Sequence, residues 1–100
     1  MKICYNNWVI DVMSSEDPKK LIIDCKIGNQ IITREYYISE QISKIEFEGD
    51  YLTIYVNDNN SFYYCNFSSD TEFIADKYVN DEFELSLGCY DFYDDYNLVD

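Results

Sequence analysis

The chain has 100 residues, of which 47% are apolar and 18% aromatic, and 20 Asp and Glu set against 7 Lys and Arg give it a formal charge of −13. That apolar content excludes a disordered acidic tail, the charge opposes direct binding to nucleic acid or an anionic membrane, and no apolar run approaches the roughly 18–20 residues of a membrane span. The charge is also lopsided: residues 1–50 hold nine acids and six bases, whereas residues 70–100 hold ten acids and one base, Lys77.

In chain order, Met1-Lys2-Ile3-Cys4 has no apolar core leading to a small-residue cleavage site, so no leader peptide is expected. Trp8, Ile10 and Val12 alternate with polar or smaller neighbours and predict an opening strand. Ser14-Ser15-Glu16-Asp17-Pro18 is a loop signal. Leu21, Ile23, Cys25 and Ile27 alternate with Lys20, Ile22, Asp24 and Lys26, and Gly28-Asn29 supplies a two-residue hairpin turn. Pairing Ile27 with Gln30 puts Ile32, Tyr36 and Ile38 on the apolar face, together with Arg34 opposite Ile23. A second hairpin closes at Glu48-Gly49-Asp50-Tyr51. Its inner face is Ile45, Phe47, Leu52, Ile54 and Val56, and its outer face carries Lys44, Glu46, Glu48, Tyr51, Thr53 and Tyr55. A turn at Asn59-Asn60 would place Tyr63, Cys65 and Phe67 inside, with Phe62 and Tyr64 outside beside Tyr55.

Beyond this point the period changes. Ser69-Asp70-Thr71-Glu72 matches a capping box. It predicts a helix near residues 70–80 with Phe73, Ile74 and Tyr78 inward and Glu72 and Asp76 one turn apart on another face. Phe83, Leu85 and Leu87 then alternate with Glu82, Glu84 and Ser86 and predict a closing strand. The expected fold is α+β: an antiparallel β-meander sheet of about five to seven strands with one helix near residues 70–80, in a single domain spanning 1–100. Residues 89–100 form an acidic aromatic tail, flexible or docked as an edge.

Enzymatic chemistry has little to work with. There is no histidine, and the Ser and Cys side chains have no evident activating base. The four cysteines lack the short spacing of a zinc site and are expected as reduced thiols. Asp91-x-x-Asp94-Asp95 lacks the Gly and terminal Glu of a calcium loop. The chain is therefore read as non-enzymatic, without cofactor or metal. The carboxylates read better as a surface. Glu46 with Glu48, and Glu82 with Glu84, would share strand faces at roughly 6.6–6.8 Å, comparable to successive phosphates of a nucleic-acid strand. Tyr, which stacks on Arg and recurs in binding hot spots, lies between them.

In size, acidity and missing catalytic groups the chain resembles the small acidic phage-encoded inhibitors of host defence, of anti-CRISPR or DNA-mimic type. The resemblance implies a partner that is a basic protein, a Cas effector or other nuclease, blocked from DNA or RNA in the host cytoplasm. The partner-binding residues expected from the sequence are Glu72, Asp76, Glu82, Glu84, Asp91, Asp94 and Asp95 as phosphate substitutes, with Tyr90, Tyr93 and Tyr96 as anchors. Two other readings fit the same features. One is an immunity protein neutralising a bacterial nuclease toxin, and the other a structural module that associates through a β-edge.

Overall fold

A computed structural model describes residues 1–15 and 18–91, with side chains as far as Ser86. The described residues form nine antiparallel strands in two sheets. The first sheet holds β1 (Lys2–Tyr5), β2 (Trp8–Met13), β3 (Lys19–Ile27) and β4 (Gln30–Ile38), in that order. The second holds β5 (Ile42–Glu48), β6 (Tyr51–Val56), β7 (Ser61–Asn66), β8 (Glu72–Val79) and β9 (Glu82–Asp91), also in sequence order. Residues 39–41 connect the two meanders.

Period-2 patterning decides which face of each sheet turns inward. Trp8, Ile10 and Val12 of β2 lie opposite Cys25, Ile23 and Leu21 of β3, and all six are buried. Leu52, Ile54 and Val56 of β6 are likewise buried, next to Tyr63 and Cys65 of β7. The inner faces share one core. Its aromatic centre crosses between the sheets: Phe73 of β8 lies 6.0 Å from Trp8, 6.2 Å from Phe67 and 6.3 Å from Tyr36 of β4, between ring centroids. Trp8 Nε1–H also donates to the Ser69 carbonyl at 2.8 Å, so the one buried indole is satisfied across the inter-sheet gap.

The hairpin registers Ile27 with Gln30 and Glu48 with Tyr51 occur as the turn chemistry dictates. Arg34 lies opposite Ile23, and its guanidinium reaches the Thr33 carbonyl at 3.0 Å. The loop after β6 is longer than Asn59-Asn60. It spans residues 57–60, with positive φ at Asn57, Asp58 and Asn59, and Val56 pairs with Ser61. The parity is unchanged, so Tyr63, Cys65 and Phe67 are buried as expected.

The α+β expectation is wrong: the described residues contain no helix, and the fold is all-β. The segment expected as a helix near 70–80 is strand β8. Ser69 Oγ does accept from the Thr71 and Glu72 N–H groups, at 3.3 and 3.2 Å, as a cap would. The chain beyond is extended because β7 and β9 flank it and supply its backbone hydrogen bonds. Phe73, Ala75 and Lys77 point inward and Glu72, Ile74, Asp76 and Tyr78 outward. Asn80 and Asp81, with φ of 51° and 64°, form the two-residue turn into β9.

The clean alternation expected for residues 82–87 is also absent. The ladder between β8 and β9 shifts register twice, leaving Glu84 and Leu87 as the extra residues. Phe83 and Leu85 are exposed, and Gly88 sits within β9 opposite Ala75.

Candidate protein interface

The outer face of the second sheet carries a row of side chains that crosses all five strands. Lys44, Tyr55, Phe62, Tyr78 and Phe83 are directly opposite one another in successive ladders. Ring centroids along the row are 5.6, 4.9 and 5.9 Å apart, with Phe62 stacked on Tyr78 at 12° and Phe83 edge-on to Tyr78 at 77°. A second pair, Tyr51 and Tyr64, stands 5.6 Å apart on the same face. The rings in the interior of the row are half-buried by one another, while Phe83 is 59% exposed. No described element covers this face.

Acids flank the rings. Glu46 and Glu48 are exposed on β5, and Glu72 and Asp76 lie on the outer side of β8. The cation at the end of the row is already engaged: Lys44 Nζ sits 4.9 Å from the Tyr55 ring centroid and 2.8 Å from Glu46 Oε1. That pair holds the Lys44 ammonium above its usual pKa, first through the hydrogen bond to Glu46, and holds Glu46 below its own. Tyr51 O–H donates to Glu48 at 2.7 Å, which pushes the phenol up.

A different polar group closes the side of the core. Glu40, in the connector between the sheets, accepts from Tyr63 O–H at 2.8 Å and from Lys77 Nζ at 2.8 Å, and Lys77 also reaches Glu84 at 3.4 Å. Burial alone would raise the Glu40 carboxyl, but the hydrogen bonds from Lys77, Tyr63 and Ser39 outweigh it and bring the pKa down to about 2. Burial, followed by the hydrogen bond to the Glu40 carboxylate, pushes the Tyr63 phenol upward. Lys77 points inward because this pocket of carboxylates receives it, and this makes Glu40 a structural brace. Cys65 is buried and its thiol is pushed up to about 12 by desolvation, so it is a poor nucleophile.

The residues expected from the sequence are dispersed. Glu72 and Asp76 do share a face, but along a strand they lie roughly 13 Å apart with Ile74 between them, rather than one helical turn apart. Glu82 and Glu84 are exposed at the end of the sheet, and the bulge at Glu84 removes their phosphate-like spacing. Glu84 is partly neutralised by Lys77. Tyr90 and Asp91 are the last two residues of β9, opposite Phe73 and Glu72. Tyr93, Asp94, Asp95 and Tyr96 lie outside the described residues. The Glu46–Glu48 pair keeps its expected spacing on one face. What the sequence did not reveal is that Tyr78 and Phe83 complete the row begun by Tyr55 and Phe62. The Asn80-Asp81 turn was the signal, since reading it as a hairpin sets Tyr78 opposite Phe83.

No family model, curated protein or solved structure matches this chain. The functional reading therefore rests on the surface itself.

Proposed function

We propose that the protein is a non-enzymatic inhibitor that binds the basic, nucleic-acid-binding surface of a defence nuclease, such as a CRISPR–Cas effector, in the host cytoplasm. The observation that carries this is the outer face of the second sheet: a cross-strand aromatic row bordered by Glu46, Glu48, Glu72 and Asp76. A surface meant only for water has no need of a row of half-exposed rings. Rings supply contact area at low entropic cost, and the acids supply complementarity to a groove built to hold phosphate. A formal charge of −13 steers the encounter toward such a groove and away from nucleic acid.

The test is DNA cleavage by guide-loaded CRISPR effectors and by restriction endonucleases, with the full chain titrated in at low and high salt. The expected result is that at least one enzyme loses DNA binding and cleavage together, with inhibition weakening as salt rises. Inhibition of none of them, or inhibition that leaves DNA binding intact, would overturn the reading.

A further inference from the structure

The geometry points to a specific slot on this face: the Asp76 carboxylate, beside the ring of Tyr64, receives an arginine side chain of the partner. This inference rests on the proposed function and narrows it to one side-chain chemistry at one position.

The protein contains filled versions of the same arrangement. Lys44 Nζ lies over Tyr55 at 4.9 Å and against Glu46 at 2.8 Å. Lys77 Nζ lies 5.7 Å from the Tyr63 ring centroid and 2.8 Å from Glu40. In each case a cation takes a tyrosine face and a carboxylate together. Asp76 repeats the setting. It pairs directly with Tyr64 of β7, at a Cβ separation of roughly 4.5–5.5 Å. Tyr78, two residues along β8, stands on the same face at roughly 6.6–6.8 Å, its own ring engaged by Phe62 and Phe83. Yet among the described residues the Asp76 carboxylate has neither a hydrogen bond nor an ion pair.

Chemistry selects the occupant. A second copy of this chain is disfavoured, because it would bring four more carboxylates against Glu46, Glu48, Glu72 and Asp76. The occupant must be cationic. Lys44 keeps half its side chain in water, whereas a partner cation pressed against the Tyr64 ring in the middle of the sheet face loses more of its hydration. The guanidinium is more weakly hydrated than an ammonium, lies flat on an aromatic ring, and offers two parallel N–H groups to one carboxylate. Arginine therefore fills this slot at lower cost than lysine.

The experiment uses the isotope-labelled full chain titrated at low salt with an arginine nonapeptide and, separately, a lysine nonapeptide, with backbone amide shifts as the readout. The arginine peptide is expected to bind about tenfold tighter, with the largest shifts at Tyr64, Asp76 and Tyr78. Asp76→Asn, which keeps the size and the fold, is expected to remove most of that preference. Asp24→Asn, on the outer face of the first sheet, is expected to leave it unchanged. Equal affinity for the two peptides would overturn the arginine slot while leaving a basic partner in place. Shifts elsewhere, or a preference untouched by Asp76→Asn, would overturn the position. If neither peptide perturbs the face, both this inference and the choice of that face for the proposed function fail.

Discussion

The two outer faces of this sandwich are built by the same alternation and carry different surfaces. Across the first sheet, Lys2 stands opposite Asp11, and Lys20, Lys26, Asp24 and Glu35 complete three acids against three bases. Asp24 accepts from Thr33 at 2.6 Å, and Tyr37 lies under Lys20. Across the second sheet, the described side chains set four acids, Glu46, Glu48, Glu72 and Asp76, against one lysine, which is already paired with Glu46. The first is a solvated face whose charges cancel at short range. The second keeps its charge and adds rings. Net charge alone would not have separated them, since what differs is how acids and aromatics share one side of a sheet.

The largest effect expected lies beneath both faces. Phe73→Ala removes a fully buried ring that touches Trp8, Phe67 and Tyr36. It should cost about 3–5 kcal/mol in urea unfolding. If unfolding then occurs in two separate transitions, the faces belong to independently stable sheets and not to one core.

Next comes a matched charge exchange. Glu46, Glu48 and Asp76 changed to lysine should weaken binding to the arginine nonapeptide and to the inhibited nuclease on the order of 100-fold. Changing Asp11, Asp24 and Glu35 to lysine gives the same net charge. It should leave affinity within about threefold, by screening of the more distant charges. Equal losses from the two variants would mean that overall charge, and not the aromatic face, carries binding.

The brace between the sheets gives the third effect. The folded pKa of Glu40, about 2, lies below the ordinary carboxyl value of 4.5. Its contribution is therefore fully present above about pH 4.5 and is lost as pH falls toward 2. Relative to Glu40→Gln, the wild type should be more stable by roughly 2–3 kcal/mol at neutral pH, with the gap closing in that acid window. Comparing the two proteins at each pH cancels the relief of self-repulsion that acid brings to the whole chain. A gap that persists at pH 2 would assign the brace to packing.

The smallest effect is at Lys44. Lys44→Ala should leave the melting temperature unchanged, because exposed ion pairs contribute little. It should also tighten the arginine peptide about two- to threefold by releasing Tyr55 and Glu46 to the ligand. Weaker binding would mean that Lys44 itself touches the partner.

How much of this was legible in the sequence depended on the residue types at inward positions. Leu21, Ile23 and Cys25, or Leu52, Ile54 and Val56, declare their face, and the Gly28-Asn29 and Gly49-Asp50 turns fix the register. In β8 the inward positions are Phe73, Ala75 and Lys77, so the apolar period is hidden. Ala75 is small, and Lys77 is charged because Glu40 and Glu84, distant in sequence, neutralise it. Ile74 and Tyr78 then fitted a helical stripe equally well, and Ser69 supplied a genuine cap-like hydrogen bond. In β9 the two register shifts cannot be read from composition, and the first of them breaks the Glu82–Glu84 spacing, while the Asn80-Asp81 turn alone sets Phe83 opposite Tyr78. The strand Lys2–Tyr5 was missed because its two inward residues, Ile3 and Tyr5, are too few to establish a period.

The strictly sequential strand order has a kinetic consequence. Among the described residues every strand pairs only with its neighbour in sequence, across connections of two to five residues. Loop closure is therefore inexpensive throughout, and no long-range strand exchange has to wait for a distant partner. Each meander can zip from its own tight turns, and the slow event that remains is the docking of two preformed sheets across the short connector braced by Glu40. For an all-β chain this predicts folding near the fast end of its class, with the rings of Trp8, Phe67 and Phe73 coming together last.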